Sequence, residues 1–310
     1  MTITLEGGIT FFGITLSPPP IEAGWFGGGS APDTVSTVQR ITFATDTATA
    51  TVRGPLSGAR RYLAAAGNTT DAWFGAGNTG PFSSVDRITY ATDTATASVR
   101  GPLSLASYGL AAAGNSDYGW FGGGNAGGTP FSRVDRITYA TDTATASIRG
   151  PLSSARYLLA AAGNSDYGWF GGGRPSTSTV DRIIYATDTA TASVRGPLSQ
   201  NTRSLAAAGN TTDGWFGGGY IQPTSSDTSR VDRITYATDT ATASVRGPLS
   251  GARQFLAAAG NFTDGWFGGS GNPDRSTVDR ITYATDTATA SVRGPLSVAI
   301  GRLAAAGGIQ

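Results

Sequence analysis

The sequence contains no cysteine, no histidine and no lysine. The first two absences exclude the usual thiolate and imidazole metal sites and any acid–base chemistry run by imidazole. The third means that all 22 basic residues are arginine, a side chain suited to fixed, bidentate, partly buried pairing rather than to a solvated coat. Charge is scarce at 14% and balanced, with 21 acidic residues and a net charge of +1. That balance argues against a general nucleic-acid or anionic-membrane binder. No apolar run approaches the roughly 18 residues of a membrane helix, and no basic segment precedes an apolar one near Met1. Neither a signal peptide nor membrane insertion is expected. Helical periodicity is missing too: the alanine triplets are short and flanked by glycine.

What the chain has is one sentence written six times. Six tryptophans mark it, Trp25, Trp73, Trp120, Trp169, Trp215 and Trp266, spaced 48, 47, 49, 46 and 51 apart. A period of this size points to a propeller or a solenoid. Each unit reads as four short strands. Leu159–Gly163, Gly168–Gly172, Val134–Ala140 and Thr96–Arg100 exemplify the four types. β-Branched and aromatic residues fill the last three, and Gly, Asn, Asp, Thr or Pro punctuates all of them. Four antiparallel strands repeated radially make a propeller blade.

The N-terminal unit begins at its second strand, Gly24–Gly28, and the C-terminus supplies one spare first strand, Leu303–Gly307. The expected fold is therefore all-β: a six-bladed β-propeller of four-stranded blades, its ring closed by the C-terminal strand in the first blade, over residues 25–310. Small alanines should line the axis, and Trp and Phe should fill the wider gaps between blades. Residues 1–24 precede the repeats as an extension. It reads as an extra strand, or as a docking arm through which residues 1–20 add a strand to a neighbouring copy, with Pro18-Pro19-Pro20 as a spacer.

Two loops differ between units. From Trp to the Val of the third strand the separation is 13, 12, 14, 11, 16 and 12, whereas the other separations are constant. The loop between fourth and first strands keeps its length but changes its residues. In a meander these two loops share one face, and loops on a rigid scaffold carry function. The candidate binding residues on that face are Arg60, Tyr62, Tyr108, Phe131, Arg133, Arg156, Tyr157, Arg174, Tyr220, Arg230, Phe255 and Arg275, with Arg61 and Phe82 beside them. Tyr and Arg are common interface anchors, and aromatic faces near polar groups suit sugar rings. The longest loop, 219–230, is the leading contributor. Asp86, Arg87, Arg100 and their equivalents read instead as a structural network, and Asp93 and its equivalents as caps of their own turns.

Trp120-Phe121 followed by Gly122-Gly123, with Arg156 ahead of Leu159, resembles the kelch repeat, over roughly residues 25–310. The chain departs from kelch at the fourth strand, where Val-Arg-Gly-Pro-Leu stands in place of a Trp. The TDTATASVRGPLS and GNxxxGWFGGG phrasing is similar to propeller-type structural proteins of marine cyanophages. These resemblances imply a non-enzymatic binding or structural module without a cofactor, at a virion or extracellular surface. Its partner would be a neighbouring virion subunit, another protein, or a cell-surface glycan. The alternative they imply is an intracellular kelch-like scaffold holding a protein partner.

Overall fold

The computed structural model describes residues 3–4, 10–11, 22–79 and 82–307. Six four-stranded antiparallel sheets dominate it, in a propeller-like arrangement, and there is no α-helix among the described residues. Sheet II is typical: inner strand Ala64–Gly67, second strand Asp71–Gly75, third strand Val85–Thr89 and outer strand Ser98–Arg100. Sheets III to VI follow in chain order, with inner strands Ala111–Gly114, Ala160–Gly163, Ala206–Gly209 and Ala257–Gly260. Sheet I is composite. Its second, third and outer strands are Ala23–Gly27, Val38–Thr42 and Thr51–Arg53, and its inner strand is Ala304–Gly307 from the other end of the chain. Trp25 pairs with Ala306 and Gly27 with Ala304. Of the N-terminal extension, the described residues show a two-residue ladder, Ile3 opposite Phe11 and Thr4 opposite Thr10; the rest of the expected docking arm, with its proline spacer, lies outside them.

Small side chains set the inner position. The first and third alanines of each triplet are buried, and the middle ones, from Ala65 to Ala305, border a central cavity of about 130 Å³ to which every inner strand contributes. Further out, each Trp indole stacks on an aromatic ring of the next sheet: Trp73 on Tyr139 and Trp120 on Tyr185, at 3.8 and 3.7 Å between centroids. The last of these pairs is Trp266 of sheet VI on Phe43 of sheet I. Full burial of side chains this size stabilises by about 2–3 kcal/mol each. This stacking also ends the third strand early. The sequence predicts Val134–Ala140; the strand stops at Thr138, and Tyr139–Thr141 wind into a 3-10 turn that brings the tyrosine ring flat onto Trp73.

The turn aspartates do something other than cap their own turns. Asp93 in sheet II reaches back to sheet I, where Oδ2 accepts the Trp25 indole N–H at 2.8 Å and the Arg40 Nη1–H at 3.1 Å, with Arg53 Nε at 3.4 Å. The equivalent group forms at every junction, including Trp266 and Arg280 of sheet VI onto Asp46 of sheet I. Arg87 and Arg100 are structural, as expected, but both are directed at Asp142 rather than at Asp86. Gly101 belongs to the same junction. It ends an outer strand so close to the neighbouring turn that a Cβ would sit 2.0 Å from the Ala144 carbonyl oxygen.

The outer strands are three residues long, and each leaves its central Val or Ile exposed, Val99 at 59%. Short strands ending in Arg are a common way to blunt open sheet edges.

Candidate functional site

The two variable loops do share one face. Arg61 bridges Asn78, Tyr108 bridges Asn125, Tyr157 bridges Arg174 and Gln254 bridges Gly271, each joining an inner-strand approach to the loop after a second strand. In the longest loop the contact grows into a small sheet of Thr202–Arg203, Tyr220–Ile221 and Ser226–Asp227.

At the centre of this face lies a ring that the sequence did not disclose. The residue before the first-strand leucine has positive φ in every sheet: Tyr62 (58°), Gly109 (70°), Leu158 (57°), Ser204 (58°), Phe255 (59°) and Arg302 (61°). This turns each N–H toward the preceding carbonyl. Gly109 donates to Tyr62, Leu158 to Gly109, Ser204 to Leu158, Phe255 to Ser204, Arg302 to Phe255, and Tyr62 back to Arg302, at 2.6–2.8 Å. The left-handed conformation costs a non-glycine residue about 1–2 kcal/mol, yet five of the six positions keep a side chain. The backbone is the same six times, and the chemistry it presents is different each time.

Those side chains border a cavity of about 70 Å³ whose wall below them is the six buried leucines from Leu63 to Leu303. Tyr62 packs edge-on against Phe255 (5.6 Å) and tilted against Tyr108 (6.0 Å), and Tyr108 packs edge-on against Tyr157 (6.0 Å). Four of the expected residues thus form one aromatic arc. Arg302, absent from that expectation, pins it. Its Nε donates to the Tyr62 hydroxyl at 2.9 Å, its Nη1 to Ser30 Oγ and its Nη2 to Asn272 Oδ1, and its guanidinium lies 5.1 Å from the Phe255 ring centre. Arg302 stands at the register position of Tyr62 and Phe255, and that alignment was the available signal. Burial, with Tyr157 and Tyr62 close by, lifts the Tyr108 phenol above its ordinary value. Arg174 is exposed beside the Tyr157 ring, at 5.8 Å. Tyr220 lies apart from the arc, under Arg203 at 4.6 Å, and exposed Arg275 faces Asp227.

The remaining candidates turn inward. Arg60 and Arg156 are 2% and 1% exposed, so they are not contact residues. Each neutralises a buried third-strand aspartate, Arg60 Nη2 on Asp86 at 2.7 Å and Arg156 Nη2 on Asp181 at 3.0 Å; Arg253 does the same for Asp279. In sheets III and V the equivalent loop residues are Ser107 and Thr202, and the arginine comes from the other loop. Arg133 and Arg230 bond to Ser104 and Ser199, whose hydroxyl and backbone N–H groups hold Asp135 and Asp232. Burial lifts both of these carboxyls above the ordinary carboxylate value, against the pull of those serine bonds and arginines. Sheet I carries neutral Gln39 at this site, bonded to Ser297, and the loop residue there is Ile300. Every buried third-strand aspartate therefore has one arginine associated with it, and the glutamine at that position in sheet I has none. Phe131 is half-buried, its ring lying against Gly124.

With these pairs set aside, the variable face presents Arg61, Arg174, Arg203, Arg275 and Arg302 against Asp33, Asp227 and Asp274, a small positive excess. No protein-family model matches this chain, and no curated protein matches it.

Proposed function

We propose that the six sheets are the blades of one closed six-bladed β-propeller, its first blade completed by the C-terminal strand, and that it is a non-enzymatic binding module. Its working surface is the variable-loop face, and its partner there is a protein subunit. The observation that carries this reading is the arc of Phe255, Tyr62, Tyr108 and Tyr157, braced by Arg302 on a ring of left-handed residues. Closure is supported by the backbone cycle through those residues and by the recurrence of the Trp–Asp bond from sheet VI to sheet I.

The arc spans loops of several sheets, whereas its cavity, about 70 Å³, falls well below the 300–1,000 Å³ typical of small-molecule sites. Such a surface favours a protein protruding onto the face over an isolated sugar ring. Tyr and Arg anchors at the centre of a patch, with exposed Arg174 and Arg275 at its rim, fit the anatomy of protein interfaces. The absence of His and Cys from the sequence supports a non-enzymatic role. Similarity of the repeat phrasing to cyanophage structural proteins supports a virion or extracellular surface as the setting, with an intracellular scaffold as the alternative.

Paired mutagenesis tests the choice of face. One variant carries Tyr62→Ala, Tyr108→Ala and Tyr157→Ala; the other carries Val99→Ser, Ile148→Ser and Val194→Ser on the outer strands. Co-purification of the tagged chain with its native assembly should fail for the first variant and persist for the second. The opposite result, with both variants folded by circular dichroism, would sink this reading.

A further inference from the structure

The face opposite the variable loops is not uniform. The turn from inner to second strand ends in Asp71, Asp213 and Asp264 in sheets II, V and VI, but in Tyr118 and Tyr167 in sheets III and IV. Each aspartate accepts a hydroxyl from Thr89, Thr235 or Thr282 and lies 3.5–3.6 Å from Nε of Arg87, Arg233 or Arg280. Each tyrosine instead lies against the equivalent guanidinium, Tyr118 with Arg136 at 4.5 Å and Tyr167 with Arg182 at 4.8 Å. Both arrangements occupy the arginine, so the fold works without the tyrosines.

The preceding residue changes with them. Thr70, Thr212 and Thr263 bond through their hydroxyls to the turn Asn and Asp. In sheets III and IV that residue is Asp117 or Asp166. Both are exposed, and among the described residues neither carboxylate accepts a hydrogen bond. The two altered sheets are neighbours. Tyr118 and Tyr167 border one groove of about 480 Å³, together with Asn115, Trp120, Ser165 and Asp166. A second groove of about 430 Å³ adjoins Tyr118 and Asp117 on the side of sheet II. Both volumes fall in the range of small-molecule sites.

We propose that the Tyr118–Tyr167 groove binds a neutral oligosaccharide. A pyranose offers an apolar C–H face for an aromatic ring and a rim of hydroxyl donors for a free carboxylate. Tyr118 and Tyr167 supply rings held in place by arginine, and Asp166 supplies a carboxylate acceptor. The groove itself selects against charged ligands. A guanidinium already beside each tyrosine weakens the ring's attraction for a second cation, and Asp117 and Asp166 repel acidic sugars. Two tyrosines on adjacent sheets suit a chain of sugar units better than a single one. The site lies on the opposite face from the aromatic arc and does not depend on the protein partner proposed there.

The test uses the full chain with neutral hexasaccharides of glucose, mannose, galactose and N-acetylglucosamine, read by saturation-transfer NMR and calorimetry. Tetramethylammonium and a galacturonic acid hexamer serve as charged probes. At least one neutral glycan should bind, and neither charged probe should. Replacing Asp117-Tyr118 and Asp166-Tyr167 by the Thr-Asp of sheets II and V keeps a turn the fold already uses, and should weaken binding at least about tenfold. The variant Tyr62→Ala with Tyr108→Ala should bind sugar as the parent does. No binding of any neutral hexasaccharide, tighter binding of a charged probe, or undiminished binding by the Thr-Asp variant overturns the proposal.

Discussion

The indole N–H of Trp266 donates to Asp46 Oδ2 at 2.9 Å across 220 residues of sequence. The same oxygen takes Arg280 Nη1 at 3.0 Å and Arg293 Nε at 3.4 Å. Five other junctions use the same three donors, so the joint between the two ends of the repeat region is built like every other.

Asp46→Ala and Asp142→Ala are therefore expected to cost the same. Removing a buried carboxylate from two guanidinium groups costs about 3–5 kcal/mol when everything is buried. These arginines are partly exposed, which places the expected loss near the lower end, about 3 kcal/mol. Urea unfolding of the two variants measures it. A much smaller loss for Asp46→Ala would mean that the junction of sheets VI and I is not equivalent to the rest.

Sheet I shows how a buried charge pair can be replaced. Gln39 and Ile300 stand where sheet II has Asp86 and Arg60. Arg60→Ile alone strands Asp86 and should cost about 3–5 kcal/mol. Adding Asp86→Gln should return most of that loss, since a neutral pair of similar shape is close to an ion pair in stability. A double-mutant cycle gives the coupling directly; additive losses would show that the two side chains do not depend on each other.

Acid should act in an unusual direction at two sites. Burial lifts the Asp135 and Asp232 carboxyls in the folded state, so the folded protein holds these protons more tightly than the unfolded chain does. Their contribution to stability is full below the unfolded carboxylate value, about 3.9, and is lost as pH rises through the folded value. Asp135→Asn removes one such group. The stability of the parent minus that of the variant, from urea unfolding between about pH 4 and pH 7, should be largest at the acid end. A difference that grows with pH contradicts this.

Deleting 302–310 removes Arg302, with its bonds to Tyr62, Ser30 and Asn272, and the strand paired with Ala23–Gly27. The shortened chain should unfold at least about 10 °C below the parent, a loss of about 6 kcal/mol for a chain of this size. A melting temperature within a few degrees would show that this strand is dispensable.

The strand types and their number were legible because hydrophobic alternation and glycine punctuation act locally. Partners across sheets were not. A repeated sequence places Asp93 beside Tyr90 in its own unit and says nothing of Trp25, whose indole it holds. Arg60 and Arg156 read as surface residues because arginine in a variable loop usually is one. Their true role appears only when Asp86 and Asp181 are seen without other cationic partners. Tyr118 and Tyr167 passed as tolerated exceptions to a pattern, since only coordinates put them in one groove.

Near-identical repeats pose a problem of address: during folding, the C-terminal loop could dock against any of six similar sheets. The neutral bond of Gln39 to Ser297, with Ile300 in place of a loop arginine, works as a label. Docked on sheet II, Ile300 would face Asp86 with no arginine, and an unpaired buried carboxylate costs several kcal/mol. The converse error, Arg60 over Gln39, would bury a cation without its anion. On sheets II, IV and VI, where the loop arginine is the aspartate's partner, the last loop would leave a buried carboxylate unpaired, so one uncharged contact marks the first sheet against these three.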